Sequence, residues 1–288
     1  MIKVVMVDLD GTLLTPEKKI TEKTVETIKR FQEKGGLFVV NTGRSYSTAS
    51  KIVKEAGIKC DYICLSGAGI YDDLGKCIKC DYMTEEEISI VQEIEKKYGL
   101  KINYLTSNGE FSECSKEWAE QYYLQEEITA AEKLGKTIDT EKVLEKYRGI
   151  LNHIKYSSDI CEIMNPENHI FKMVVMSMDA NSIAKAKEEL AKHLKFKVAM
   201  TSMTSMEVNS IRADKGNAAI DYIKSKGMQM DEVMAIGDSE NDYAMLELPF
   251  GKTVAMENAE PEIKEICTDI TKSNLEDGVA FAIEKMVL

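Results

Sequence analysis

Met1-Ile2-Lys3-Val4-Val5-Met6-Val7-Asp8-Leu9-Asp10-Gly11-Thr12-Leu13-Leu14 opens the chain. Its first seven residues are apolar except for Lys3 and rich in Val, as in a strand buried on both faces of a parallel sheet. Such a strand should not carry two carboxylates into the interior, because unpaired buried charge is costly. Asp8 and Asp10 therefore belong at its carboxyl end, where open α/β sheets bind ligands. Two residues apart, they start from one face while Leu9 points away. Gly11 lets the backbone turn sharply and bring an N–H close to an anion. Two carboxylates this close repel and call for positive charge. Mg²⁺ suits, since it takes one or two carboxylates together with waters and substrate phosphate oxygens. One carboxylate could then attack phosphorus and form an aspartyl-phosphate, while the other passes protons. The plain alternative is a solvated Asp-Gly turn. The strand in front and Gly-Thr behind favour the site.

Three later segments have the same form. Gly36-Leu37-Phe38-Val39-Val40 leads into Asn41-Thr42-Gly43-Arg44. There a hydroxyl can hydrogen-bond a phosphate oxygen and Arg44 can pair with phosphate bidentately. Ile211 to Asn217 opens a helical stretch through Ile223, with Lys215 at its start, against the helix dipole. Lys215 in that place makes better sense as the partner of a phosphate or carboxylate than as a solvated surface charge. Glu232-Val233-Met234-Ala235-Ile236 runs into Gly237-Asp238-Ser239-Glu240-Asn241-Asp242, where a helix is expected to begin at once. Asp238 and Asp242, four apart, can then face one point, although Asp at a helix start is also ordinary capping chemistry. A doubly wound sheet gathers such strand ends on one edge.

With these residues in view, the chain resembles the haloacid dehalogenase superfamily of phosphohydrolases, and within it the Cof-type phosphatases of sugars and small metabolites. Asp8-Leu9-Asp10-Gly11-Thr12-Leu13-Leu14, Thr42-Gly43-Arg44, Lys215-Gly216 and Gly237-Asp238-Ser239-Glu240-Asn241-Asp242 match its four motifs. Asn41 stands where Ala is more usual, Ser66-Gly67-Ala68 where Asn-Gly-Ala is, and Glu257 where Gly is. The resemblance covers both ends of the chain well and the middle poorly. It implies a Rossmann-like doubly wound parallel core with an inserted α+β cap, and a Mg²⁺ cofactor. It makes Asp8 the nucleophile and a metal ligand, and Asp10 the general acid/base with its carbonyl on the metal. Thr42 and Lys215 would hold the transferring phosphoryl group, with Gly11, Gly43, Arg44 and Asn241 also on the phosphate side. Asp238 and Asp242 complete the metal set. Ser66 and Glu257 bear on substrate preference.

The motifs fall in residues 1–66 and 212–242, so the core is expected from 1–82 and 205–288, with the cap at 83–204. The intervening segment predicts a helix over 84–97, a strand over 99–105 and a helix over 116–125. Charged residues follow around 126–136. Strands are expected at 150–156, 170–178 and 196–201, and a helix at 182–194. Such an insert would exclude water and choose the substrate. Met173, Met176, Met178, Met200, Met203 and Met206 read as core filler.

Of 288 residues, 44% are hydrophobic, enough for a core. The net charge of −12 argues against nucleic acid as the main partner. No stretch approaches a membrane span, and the N-terminus shows no signal-peptide pattern. The seven cysteines accordingly predict reduced thiols and a cytoplasmic enzyme. Cys60, Cys64, Cys77 and Cys80 invite a zinc reading. Cys77 and Cys80, three apart on a strand, should point to opposite faces and not chelate together. His153, His169 and His193 show no ligand spacing. The expected activity is hydrolysis of a small phosphorylated metabolite. Its rivals are a phosphotransferase or phosphomutase using the same aspartyl-phosphate, a receiver domain, and a silent binding module on the same fold.

Overall fold

The opening apolar run is strand β1, Val4–Val7, with all four side chains fully buried. Each contributes about 1.5–3 kcal/mol relative to exposure. The computed structural model describes residues 1–157, 159–164 and 168–288. After β1 come α1 (Glu22–Glu33), β2 (Leu37–Asn41), α2 (Tyr46–Glu55), β3 (Asp61–Cys64), β4 (Gly69–Tyr71) and β5 (Cys77–Cys80). The chain then forms α3 (Glu85–Tyr98), β6 (Lys101–Thr106), β7 (Gly109–Ser112), α4 (Lys116–Lys133), α5 (Thr140–Leu151) and β8 (Lys155–Tyr156). α6 (Ile160–Ile163), β9 (Ile170–Met176), α7 (Ala180–Leu190), β10 (Phe196–Ser202) and β11 (Ser205–Ser210) follow. It finishes with α8 (Lys215–Ser225), β12 (Val233–Gly237), α9 (Tyr243–Leu246), β13 (Lys252–Ala255), α10 (Pro261–Ile266), β14 (Asp269–Ile270) and α11 (Gly278–Met286).

Two compact units result: Met1–Asp81 with Arg212–Leu288, and Tyr82–Ile211. The first is built on one sheet of order β14-β13-β12-β1-β2-β3-β4-β5. Its strands run parallel from β14 to β3; β4 is antiparallel to β3, and β5 is antiparallel to β4. This is the Rossmann-like α/β core. Val7 lies beside Val40 on one side and Ile236 on the other. The three strands therefore end within about a residue of one another, at one edge of the sheet.

At β5 the structure departs from the sequence reading. The pairing slips between Ile70 and Tyr71, so the alternation of β5 is broken. Cys77 and Cys80, with Cα atoms 6.8 Å apart, are joined in a disulfide. They do not point apart, and the expectation of wholly reduced thiols fails at this pair. Cys60, Cys64, Cys114, Cys161 and Cys267 are free.

The second unit is an α+β sandwich. Its sheet has the order β10-β11-β9-β6-β7-β8, antiparallel except between β7 and β8. Ile102, Tyr104, Met173, Val175, Met206 and Val208 alternate onto one face and pack with Ile88, Val91 and Ile94 of α3 and Ile183 and Leu190 of α7. α3 starts at a capping box between Thr84 and Glu87 and stops at Gly99, whose left-handed φ of 64° costs glycine least. β11 pairs with β9 and β10, so Ser205–Ser210 belongs to this unit and the insert continues past residue 204 to Ile211.

The strand expected at 150–156 is the end of helix α5, with only Lys155–Tyr156 extended. Leu151 packs in a cluster with Cys114, Ala119 and Ile154, and a short apolar run does not by itself separate helix from strand. α4 likewise continues through the charged segment to Lys133, where Glu127 accepts bonds from Lys146 and Tyr147 of α5. Met173, Met176 and Met206 are core residues, while Met178, Met200 and Met203 are exposed.

Candidate active site

Asp8 follows β1 and its N–H donates to the Ile236 carbonyl (3.0 Å), so it continues the sheet by one residue. Asp238 follows β12 directly. Lys215 is the first residue of α8, whose N-cap Asp214 accepts from the N–H groups of Gly216 and Asn217 (both 2.9 Å). That cap fixes the helix start, and the Lys215 side chain reaches between two carboxylates. Its Nζ donates to Asp8 Oδ1 and to Asp242 Oδ1, each at 2.6 Å, and lies 3.4 Å from Asn241 Oδ1. All three charged groups are buried. Asp242 Oδ2 accepts from the N–H groups of Asp238 (3.0 Å) and Ser239 (3.3 Å), which folds the loop after β12 back on itself. The helix expected directly after β12 is a 3₁₀ turn, Glu240–Asp242, leading into the short α9. Even so, Asp8, Asp238 and Asp242 each offer an oxygen within 4.8 Å of the others. Three hard oxygen donors in that space fit a divalent cation such as Mg²⁺.

The charges explain one another. Burial is the main force raising the Asp8 carboxyl well above the ordinary range, with repulsion from Asp242 adding to it against the pull of Lys215. Burial likewise raises Asp238, to about 6, offset in part by the hydrogen bond from Thr12 and reinforced by Asp242. For Lys215 burial opposes the charge, yet Asp242 and Asp8 together outweigh it and raise the ammonium. A Lys at a helix N-terminus, against the dipole, is thus held by buried acids.

Asp10 points elsewhere. Arg44 grips it bidentately, Nε to Oδ2 and Nη2 to Oδ1, both at 2.6 Å, and Lys18 Nζ donates to Oδ1 at 2.7 Å. Burial would raise this carboxyl, but the bonds from Arg44 and Lys18 prevail and lower it. Its carboxylate is not in the cluster of Asp8, Asp238 and Asp242. Gly11 has φ +83°, and a Cβ there would fall 2.3 Å from Asp238 Oδ2. The close approach of the two loops therefore requires glycine. Thr42 is buried, and its hydroxyl accepts from the Arg44 N–H at 3.2 Å. Gly43 joins these two residues, and a Cβ there would lie 3.4 Å from Ser66 Oγ. Ser66 adopts φ 58° and its N–H donates to the Thr42 carbonyl (3.1 Å), tying the loop after β3 to that after β2.

Four residues escape the sequence reading as site residues. Thr12 donates to Asp238 Oδ1 (2.7 Å), Lys18 holds Asp10, Asn258 Nδ2 donates to the Gly11 carbonyl (2.9 Å), and Asn41 Nδ2 donates to the Lys215 carbonyl (3.1 Å). Thr12 and Asn41 sit inside the quoted motifs and were within reach of that reading. Lys18 and Asn258 have no local signal, since their partners are set by loop paths.

A family model described as haloacid dehalogenase-like hydrolase matches residues 5–283. The chain belongs to that family. It is an enzyme, a hydrolase, of the haloacid dehalogenase type. A 5-amino-6-(5-phospho-D-ribitylamino)uracil phosphatase of Bacillus subtilis is 28% identical over 290 residues, 99% of this chain and 98% of that protein. An HMP-PP phosphatase of Serratia proteamaculans is 25% identical over 268 residues, 92% of this chain and 88% of that protein. A solved haloacid dehalogenase-like hydrolase from Bacteroides thetaiotaomicron superposes with a TM-score of 0.79 at 25% identity, covering 99% of this chain and 100% of that one. Members of the family use a divalent metal, and this hydrolase has an acidic cluster of the right kind. Among the described residues no helix is long and apolar enough to cross a membrane.

Proposed function

We propose that this haloacid dehalogenase-type hydrolase is a cytoplasmic, Mg²⁺-dependent phosphatase of a small phosphorylated metabolite, working through an aspartyl-phosphate on Asp8. The observation that supports this most is the buried Asp8–Lys215–Asp242 set, at 2.6 Å on each side of the ammonium, with Asp238 in the same cluster. A carboxylate held by one cation and crowded by two acids is fixed in place, and its own rotation cannot waste the approach to phosphorus. Mg²⁺ would be held by Asp8 and Asp238, with the Asp10 carbonyl and Asp242 completing the set, and would supply the positive charge that lets an anionic nucleophile meet an anionic phosphate.

The chain's own residues carry the remaining tasks. Asp8 attacks phosphorus as the bond to the leaving oxygen breaks. Asp10 gives that oxygen its proton and afterwards takes one from the water that attacks the aspartyl-phosphate. Lys215, the Thr42 hydroxyl, the Arg44 guanidinium, Asn241 and the backbone at Gly11 and Gly43 hold the phosphoryl oxygens. This is positioning and charge neutralisation, as phosphoryl transfer needs. The named relatives act on a phosphoribitylaminouracil and on HMP-PP, which supports a small phosphorylated metabolite as substrate.

The test is phosphate release with Mg²⁺ from sugar phosphates, nucleotides, flavin phosphate and pyridoxal phosphate, comparing the native protein with Asp8→Asn. Release by the native protein alone is expected. Turnover by Asp8→Asn refutes the nucleophile. Transfer to a second substrate with no free phosphate makes the enzyme a phosphotransferase.

A further inference from the structure

Lys18 lies outside every motif, yet its ammonium is 2.7 Å from Asp10 Oδ1. An ordinary surface ion pair would signify little. Three observations set this one apart. The backbone of Lys18 has φ 60°, a conformation that residues with a side chain rarely adopt, and such departures cluster where a side chain must be aimed. The turn that carries it is closed twice, by the Lys18 N–H on the Thr15 carbonyl (2.8 Å) and the Thr15 N–H on the Lys19 carbonyl (2.9 Å). That turn is also tied to the core at its root. The Leu14 N–H donates to the Leu9 carbonyl (2.8 Å), Asn274 Nδ2 donates to the Leu14 carbonyl (2.8 Å), and Leu14 bridges to Asp10. The loop is therefore built to return Lys18 to the residue it left eight positions earlier.

We infer that Lys18 is a positioning residue for Asp10, and that it keeps the Asp10 carboxyl aimed when Arg44 turns to the phosphoryl group. The inference rests on the reading of Asp10 as the proton donor and acceptor. Arg44 now occupies both Asp10 oxygens. An Arg44 that turns its Nε–Nη2 edge to a phosphoryl oxygen gives up one or both of them, because that edge points one way at a time. Lys18 shares Oδ1 from a different loop and does not have to move with it. The Asp10 carboxyl then stays in line with the leaving oxygen as the P–O bond to that oxygen breaks and the bond to Asp8 forms. With Arg44 Nε off Oδ2 and Lys18 still on Oδ1, Oδ2 takes a proton from solvent, and that proton passes to the leaving oxygen and leaves Asp10 a carboxylate. In the second half the water's oxygen bonds to phosphorus, the Asp8–phosphorus bond breaks, and the water's proton returns to Asp10.

The experiment uses the full chain with Mg²⁺ and two esters, p-nitrophenyl phosphate, whose leaving group needs little proton help, and phenyl phosphate, whose leaving group needs more. Lys18→Met should lower kcat/KM on phenyl phosphate by about tenfold more than on p-nitrophenyl phosphate, a part of what proton transfer contributes. Lys18→Arg should restore both, and Lys18→Met should add nothing to Asp10→Asn. The Lys18 side chain is more than half exposed, so the variants should melt with the native protein. Equal losses on the two esters, no loss, or failure of Lys18→Arg to restore would overturn the inference while leaving the site reading intact. Turnover by Asp8→Asn in the same assay would instead remove the reading on which it rests.

Discussion

Replacing Lys215 by Met keeps its length and removes its charge from between Asp8 and Asp242. Both bonds are 2.6 Å, and all three side chains are at most 4% exposed. Breaking a buried pair by removing one partner costs about 3–5 kcal/mol, because the other charge stays behind. A second route leads to the same figure. A carboxylate stripped of its cation there escapes the penalty by taking a proton. Holding a carboxyl of ordinary value near 4 protonated at pH 7 costs ~4 kcal/mol, at about 1.4 kcal/mol per pH unit. The folded variant then binds a proton that the unfolded chain has released, so its stability rises as pH falls. At pH 5 the same cost is only about 1–2 kcal/mol. Urea unfolding followed by far-ultraviolet circular dichroism, in EDTA, reads both values for native protein and variant. The deficit should be about 4 kcal/mol at pH 7 and less than half of that at pH 5. A variant within 1 kcal/mol of the native protein at pH 7 would refute the buried pair as described, as would a deficit independent of pH.

The raised carboxyls of Asp8 and Asp238, the latter at about 6, hold protons in the fold that the unfolded chain gives up near pH 4. Their contribution to metal-free stability is present below that pH and lost as pH rises through about 6 for Asp238 and about 8 for Asp8. Mg²⁺ should therefore raise the melting temperature more at pH 7.5 than at pH 5.5, and an equal shift at both would count against a carboxylate site. Gly11→Ala places a Cβ 2.3 Å from Asp238 Oδ2 at φ +83°. Titration calorimetry should show Mg²⁺ binding weakened by about tenfold or more, a loss of ~1.4 kcal/mol, and unchanged affinity would exclude Asp238 from the metal set. Gly216→Ala should gain up to ~1 kcal/mol from helix propensity alone. Its Cβ would instead meet the Ala244 carbonyl at 2.1 Å, so a loss of about 1–3 kcal/mol is expected in thermal or urea melts. A gain would show that α8 and α9 are less tightly packed than described.

β1, β2 and β12 were legible because each is a short apolar run ending in Gly or polar residues, and a parallel central strand has to look so. Asp8, Asp238 and Lys215 were legible because a charge beside such a run, or against a helix dipole, is anomalous unless it has a partner. α5 was not legible at its end, since Ile150-Leu151 followed by Ile154 suits a strand as well as a helix. Only packing against Cys114 and Ala119 decides between them. The Cys77–Cys80 link was hidden because the slip opposite Tyr71 depends on β4, not on β5 itself.

By itself, then, the sequence determined that acidic strand ends and a misplaced Lys had to exist and to find partners of opposite charge. Periodicity and the cost of buried charge act within single segments, and those rules need no partner. Only the tertiary structure decided the pairings. Lys215 meets Asp8 across 207 positions, Arg44 and Lys18 turn to Asp10, and Thr12 reaches Asp238 across 226. These contacts follow from the order β12-β1-β2 and from loop paths over one sheet edge, and no segment's own pattern carries that order.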